Sequence, residues 1–163
     1  MTDTLALLQQ FYDEKLELLV RHQAAARVVR QYDINNAYQY VINREDTQLS
    51  WLGKAIAELG GSVIASEPAA ADRSAGTKAA DAARQVFTED ANDAQAFVDR
   101  WRPKIDAMAN ARHARMLRLI LGETLEGKRF FEQALAGRTD LLGRRGAQLG
   151  PSHGEVLPTR WIE

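Results

Sequence analysis

The sequence predicts an all-α protein: a four-helix bundle made of two antiparallel helical hairpins joined by a long crossover, followed by an irregular C-terminal tail. Three observations lead to this fold class. Apolar residues recur at helical period through most of residues 3–137. Short runs of turn-forming and capping residues break that period between neighbouring helices. One stretch without periodicity, residues 62–76, is long enough to cross the bundle.

The first hairpin is predicted from the N-terminal third of the chain. Apolar residues at spacings of three and four favour a first helix over about residues 3–31, which at 1.5 Å per residue is on the order of 40 Å long. The polar run at residues 33–36 supplies turn and N-cap residues, so the chain folds back antiparallel. The second helix is expected over about residues 35–60 and ends at the Gly60-Gly61 pair, a typical helix stop.

The second hairpin follows the crossover. Helix-forming residues return at Thr77, which predicts a third helix over about residues 77–101. Proline is tolerated in the first turn of a helix and disfavoured inside one. Pro103 therefore places the hairpin turn at residues 99–103 and opens a fourth helix over about residues 103–137.

These elements divide the chain into a bundle domain, residues 1–137, and a C-terminal extension, residues 138–163. Glycine and proline residues in the extension exclude a long helix. Its Trp161 and Ile162 would be costly to leave in water, so the extension is expected to dock on the bundle or on a neighbouring molecule. Together with the length of the helices, these residues predict a homo-oligomer, expected to be a dimer.

The composition excludes several classes of protein. The chain has no cysteine, which rules out disulfides, thiolate zinc sites and cysteine nucleophiles and agrees with a cytoplasmic location. The first residues carry acidic side chains and no long apolar run, so neither a signal peptide nor a membrane span is predicted. The formal net charge of −1 mixes both signs along the chain, so nucleic acid is not an expected partner.

Polar residues interrupt the apolar face of two predicted helices. Glu45 and Gln48 lie on the inner face of the second helix, and Asn110 and His113 lie on that of the fourth. Positions three apart project from the same side of a helix. A buried carboxylate loses its hydration at a large cost unless a cation, a metal or hydrogen-bond donors replace the water. Glu45 therefore needs a partner.

Two segments resemble a known superfamily. Residues 43–61 read NREDTQLSWLGKAIAELGG, similar to the second helix of ferritin-like and rubrerythrin-like proteins, where Glu-x-x-His is followed by a Trp-Leu pair and a Leu-Gly-Gly stop. Residues 110–135 read NARHARMLRLILGETLEGKRFFEQAL, which resembles their fourth helix, where Glu-x-x-His precedes a Met-Leu pair. The resemblance implies a ferritin-like bundle, whose two hairpins and crossover hold two iron or manganese ions at the centre.

The resemblance also implies a set of metal ligands. In the second helix Glu45 stands at the family's Glu, and Gln48 replaces its His. In the fourth helix His113 stands at the family's His, and Asn110 replaces its Glu. An amide binds metal weakly and brings no charge, so both replacements weaken the site. With the best candidates of the first and third helices added, the predicted ligands are Glu45, Gln48, Asn110, His113, His22 and Asp93, and Asp90 is the alternative to Asp93 in the third helix.

Each candidate ligand also has a structural interpretation. Glu45 can form an ion pair with Arg112 or a hydrogen bond with Tyr12 or Gln48. His113 can be a neutral core histidine bonded to Glu45. The charged and polar neighbours of His22 favour exposure of that residue to solvent.

Two main functions follow as hypotheses, and the sequence does not choose between an enzyme and a non-enzyme. In the first, the chain binds one or two iron or manganese ions at the bundle centre and has oxidase- or peroxidase-type activity. In the alternative, it is a metal-free ferritin-like scaffold that acts through protein association, and the buried polar cluster fixes helix register. A third hypothesis is a small-ligand pocket lined by Tyr12, Tyr38 and Trp51, although no residue selects a ligand.

Overall fold

The computed structural model describes residues 3–63, 68–69, 72–73 and 78–143. These residues contain four α-helices and no β-strand, in the order α1 (Thr4–Val28), α2 (Tyr32–Glu58), α3 (Ala79–Asp106) and α4 (Ala111–Leu135). The predicted all-α four-helix bundle is confirmed. The expected docking of Trp161 and Ile162 lies outside the described residues. No helix in the described part of the chain is both long enough and apolar enough to span a membrane.

The helices form two hairpins. α1 packs along α2 and α3 packs along α4, while narrower contacts of α1 with α3 and of α2 with α4 join the hairpins. Residues 29–31 alone connect α1 to α2, and residues 107–110 alone connect α3 to α4, so the helices within each hairpin run antiparallel. Residues 59–78 link the hairpins as the crossover.

The core lies between the four helices and is built from the apolar stripe of each. At one level the Phe11 ring meets Phe97 at 5.1 Å and Trp101 at 4.9 Å between ring centroids, both edge to face. Edge-to-face contacts stabilise aromatic pairs beyond the area that they bury. The Trp101 indole N–H donates to Glu14 Oε2 at 2.7 Å, so its one polar group is satisfied inside the bundle.

Asn35 fastens the first hairpin at its turn. Asn35 is 1% exposed, and its Nδ2 donates to the carbonyl oxygens of Ala26 at 2.9 Å and Val29 at 3.2 Å. The last carbonyl groups of a helix lack hydrogen-bond donors within the helix. Asn35 provides donors for these groups at the end of α1. The polar run at residues 33–36, predicted to be the turn, is therefore the first turn of α2.

The second hairpin turn lies later in the chain than predicted. α3 continues through Pro103 to Asp106, whereas the sequence placed the turn at residues 99–103. A proline inside a helix removes one backbone hydrogen bond and disfavours the helix. Here Trp101 and Ile105, which lie two residues before and after Pro103, are both fully buried in the core. Burial of those side chains outweighs the local preference of the proline.

α4 begins with an asparagine cap. Asn110 has extended backbone angles, φ −78° and ψ 101°, and its Oδ1 accepts a hydrogen bond from the His113 backbone N–H at 3.0 Å. Asparagine is preferred at this position because its side chain satisfies one of the free N–H groups of the first turn. The spacing of Asn110 and His113, predicted to present two metal ligands from the interior of a helix, is thus the spacing of an N-cap.

Candidate functional site

A buried carboxylate lies at the centre of the bundle. Glu45 of α2 is 2% exposed, and its two oxygens meet side chains of α1. His22 Nδ1 contacts Glu45 Oε1, and Lys15 Nζ lies 3.8 Å from Glu45 Oε2. Lys15 and His22 are about two helical turns apart, so both project from the same side of α1. Glu45 is thereby bracketed by two basic side chains.

Asp90 of α3 extends this chain of charges. It is 1% exposed and accepts hydrogen bonds from the Tyr38 hydroxyl at 2.6 Å and from Arg73 Nη1 at 2.8 Å. His22 Nε2 lies 4.0 Å from Asp90 Oδ1, so the imidazole stands between two carboxylates. Basic and acidic side chains therefore alternate across the bundle in the order Lys15, Glu45, His22, Asp90, Arg73.

Arg73 reaches the bundle centre from the crossover. Its side chain is 4% exposed, and besides Asp90 its guanidinium donates to Arg21 O at 3.1 Å and to Glu89 Oε2 at 2.9 Å. Arginine presents its donors in a planar fork that suits several acceptors at once. The crossover therefore contributes a permanent cation to the buried cluster.

α4 closes the cluster with Glu123 and Thr124. Lys15 Nζ donates to Thr124 Oγ1 at 3.3 Å. Glu123 accepts hydrogen bonds from Gln48 Nε2 and from the Arg44 guanidinium. The side chain of Glu123 is 15% exposed and that of Arg44 is 35% exposed, so this ion pair lies at the edge of the cluster towards solvent. All four helices contribute to the network.

A cavity of about 20 Å³ lies beside Glu45. A cavity of this volume has room for about one water molecule, whereas pockets for small organic ligands measure about 300–1,000 Å³. Three buried polar atoms of its lining have no hydrogen-bond partner among the described residues: His22 Nε2, Glu45 Oε2 and Gln48 Oε1. None of Tyr12, Tyr38 and Trp51, the residues of the small-ligand hypothesis, lines this cavity, so that hypothesis stays a prediction.

Burial and charge act in opposite directions on the central groups. Burial lowers the pKa of His22, but the charges of Glu45 and Asp90 outweigh it and leave that pKa raised. Burial raises the pKa of Glu45, but His22 and Lys15 outweigh it and leave that pKa lowered. At Lys15 burial dominates, so its pKa is lowered despite the charges of Glu45 and Glu123. The charge of Glu45 therefore acts to raise the pKa of both basic side chains of α1.

The permanent charges of the cluster balance. Three ion pairs supply three carboxylates and three cations, namely Glu45 with Lys15, Asp90 with Arg73 and Glu123 with Arg44. These six side chains carry no net charge, and the raised pKa of His22 favours a further positive charge on its ring. A divalent metal would add two positive charges where no carboxylate is left over. The donor set does not fit such an ion while Lys15 keeps its proton.

The structure brings together three of the six predicted metal ligands. His22, Glu45 and Gln48 all line the central cavity. The expected exposure of His22 to solvent is wrong, because the residue is 4% exposed. The expected partner of Glu45 also differs: Arg112 bonds Glu58 at the surface.

The other three predicted ligands lie elsewhere. His113 is 5% exposed in the first turn of α4, about 16 Å along that helix from Thr124. Neither of its ring nitrogens has a hydrogen-bond partner within the described part of the chain, so the expected bond to the central carboxylate is not formed. Asn110 is the exposed cap of α4, and Asp93 pairs with Arg21 at 3.1 Å on the partly exposed flank of α3.

Sequence reasoning missed Lys15 and Arg73, and it ranked Asp90 behind Asp93 as the ligand of the third helix. The signal for Lys15 lay in the register of α1: Phe11 is fully buried and Tyr12 is not. An inner stripe drawn through Phe11 rather than Tyr12 would have included Lys15, one turn further on. Asp90 follows the same argument on the inner face of α3. No sequence signal could have found Arg73, because the crossover has no periodicity.

Metal binding and family membership stay predictions. Within residues 3–63, 68–69, 72–73 and 78–143, no group of three or more histidine, aspartate or glutamate side chains could hold a metal ion. In comparisons with protein-family models, curated proteins and solved structures, none matches this chain.

Proposed function

We propose that this chain is a metal-free scaffold of the ferritin-like kind that acts by associating with protein, and that its buried polar cluster fixes the register of the helices. The observation that carries the proposal is the Lys15 ammonium, which lies 3.8 Å from Glu45 Oε2. It lies at the bundle centre, where the resemblance implies the metal ions.

The ammonium supplies Glu45 with the charge that a metal would otherwise supply. A cation within about 4 Å of a second cation in a buried site is strongly repelled, and moving charge out of water adds to that cost. Lys15 is 1% exposed, so solvent does not screen this repulsion. A divalent ion beside Glu45 therefore requires either movement of Lys15 or loss of its proton.

The network is suited to fixing register because its members come from different helices. Lys15 of α1 contacts Glu45 of α2 and Thr124 of α4. Asp90 of α3 contacts Tyr38 of α2. If one helix shifted by one residue relative to its neighbours, the side chain at each contact would be displaced by about 100° around the helix axis. A buried charge would then lose its partner, which is strongly unfavourable. The polar cluster thus favours one alignment of the bundle.

Elemental analysis tests the proposal. Protein purified without chelator, and protein loaded anaerobically with ferrous iron or manganese, should both carry metal far below one ion per chain. Thermal unfolding should have the same midpoint with and without chelator, because a ligand that binds only the folded state would raise it. Stoichiometric metal that disappears in Glu45→Ala would refute the proposal.

Iron or manganese binding with oxidase- or peroxidase-type activity is the second candidate. It is favoured by the convergence of His22, Glu45 and Gln48 on one cavity and by the lowered pKa of Lys15, which burial causes. A neutral lysine would leave the Glu45 charge available to a metal. The same analysis separates the candidates, because this one expects one or two ions per chain.

A further inference from the structure

One stripe of α4 faces outwards and carries an ordered pattern of charge. At spacings of three and four it passes through Arg112, Arg115, Met116, Leu119, Gly122 and Glu126, so these residues share one side of the helix. Leu119 is 52% exposed, among the most exposed large apolar residues of the described chain. The stripe begins with two arginines, has an apolar middle and ends with Glu126, which is half-buried and also lines the central cavity.

This pattern is complementary to itself. Two copies of α4 can be placed antiparallel with Leu119 of one copy against Leu119 of the other. Each residue before Leu119 in one copy then faces the residue that lies equally far after Leu119 in the other. Arg112 of one copy then faces Glu126 of the other, and Arg115 faces Glu123. Met116 faces Gly122 in the same arrangement. Opposite charges meet at both ends and apolar side chains meet in the middle, as a two-fold interface between identical chains requires.

We propose that the outer stripe of α4 is a two-fold interface between two copies of this chain, centred on Leu119. The inference rests on the proposed function, since it names the partner in the association. It differs in basis from the expectation of a dimer drawn from the C-terminal extension, because every residue that carries it lies on a described helix.

Gly122 supports a close approach of a second helix. Glycine weakens the interior of a helix relative to alanine. Gly122 is exposed, and a Cβ added there would meet nothing within 4 Å in its own chain. Packing within the described chain therefore does not explain the missing side chain. In the antiparallel arrangement it makes room for Met116 of the second copy.

A groove beside the stripe can receive apolar side chains of the second copy. It has a volume of about 620 Å³ and is lined by Trp51 of α2 together with Met116, Leu119 and the two arginines. A tryptophan flanked by arginines is typical of the residues that dominate binding at protein interfaces. The groove is continuous with the stripe, so one interface would cover both.

The contacts that these charged residues make within their own chain decide which pair can best be tested. Arg112 pairs with Glu58 in the same chain at 3.1 Å, with side chains 76% and 51% exposed, and such surface pairs contribute little. Glu123 already accepts from Arg44 and Gln48. Glu126 has a hydrogen bond with Tyr40, whose side chain is exposed, so the outer pair of Arg112 with Glu126 is the better pair to alter.

A single cysteine tests the geometry. Because the chain has no cysteine, Leu119→Cys would carry the only thiol, and on the two-fold axis two such thiols would be near each other. Mild oxidation should convert most of this variant into a disulfide-linked dimer, which requires Cα atoms about 4.4–6.8 Å apart. The matched control is Leu142→Cys, which starts from a leucine of nearly the same exposure, 51%, and should stay largely uncrosslinked.

A charge exchange tests the register. Arg112→Glu and Glu126→Arg should each weaken dimerisation about tenfold, because each places two pairs of like charges across the axis. The double variant restores opposite charges and should return to within about threefold of the parent. Sedimentation equilibrium over a range of concentrations gives the dissociation constants, and circular dichroism shows whether each variant is folded.

Two results would overturn the interface. One is a parent chain that stays monomeric at its highest attainable concentration. The other is a dimer that forms no Leu119→Cys disulfide and shows no rescue in the double variant. Neither result bears on metal content, which tests the proposed function. Stoichiometric metal in a dimer that does crosslink would refute the proposed function and leave the interface standing.

Discussion

Lys15→Met is the sharpest perturbation of the central cluster. Methionine keeps much of the volume of lysine and removes its charge, so within the described residues Glu45 retains only His22 as a basic contact. Removing one partner of a buried ion pair costs about 3–5 kcal/mol, because the other charge stays buried. The 3.8 Å separation of Nζ and Oε2 places the expected loss at the lower end, about 3 kcal/mol. A domain has a total stability of about 5–15 kcal/mol, so this loss is large.

A second substitution separates charge pairing from packing. Glu45→Gln alone leaves Lys15 without its counter-ion and should also cost about 3 kcal/mol. In Lys15→Met/Glu45→Gln both charges are gone, so the double variant should lose far less than the sum of the two single losses. The coupling energy of the pair should be about 2 kcal/mol or more.

Urea unfolding followed by far-UV circular dichroism measures these free energies. All variants are compared with and without chelator, and Lys54→Met serves as the control because Lys54 is exposed on α2 and should change stability by less than about 0.5 kcal/mol. Additive losses in the double variant would show that Lys15 and Glu45 do not act as a pair. Losses that vanish with chelator would show that the cluster works through a metal.

Three further predictions concern pH, metal and the α4 cap. The pKa of folded His22 is raised above its ordinary 6.5, so the stability that His22 contributes is complete below about pH 6.5 and is lost as pH rises through the higher pKa of the folded state. His22→Gln should flatten the dependence of stability on pH in that range, and an unchanged dependence would contradict the raised pKa. Lys15→Glu would place a second carboxylate at Glu45, so this variant should be destabilised alone and recover on addition of Mn²⁺, while the parent should not respond; equal responses would refute the role given to Lys15. Asn110→Ala should cost about 1 kcal/mol and Asn110→Asp much less, since aspartate also caps; calorimetry of both variants would expose a cap that contributes nothing.

Much of the fold was predictable because it depends on local patterns. Helical period and the glycine pair at residues 60–61 were enough for the first hairpin. The second hairpin turn was misplaced because Pro103 was judged by its local preference, whereas the burial of Trp101 and Ile105 decides the conformation. Such burial depends on the other helices, and a single segment does not reveal it.

The candidate site was only half predictable. Glu45 and Gln48 were found because each interrupts an apolar stripe. Lys15 was not found, because a lysine is read as exposed unless the register of its helix is known to within one residue. Arg73 could not be predicted, because it lies in a segment without periodicity and its contact with Asp90 follows from no local pattern.

The placement of the buried charges has a consequence for the order of folding. Lys15 and Glu45 both belong to the first hairpin, and Arg73 and Asp90 both belong to the chain that follows it. Each half of the molecule can thus neutralise its own buried charges before the halves meet. Apart from His22 beside Asp90, the ion pairs that join the halves, such as Arg21 with Asp93 and Arg44 with Glu123, lie nearer to solvent, where late pairing requires little dehydration. The two hairpins can therefore pack onto each other with most of their buried charges already paired.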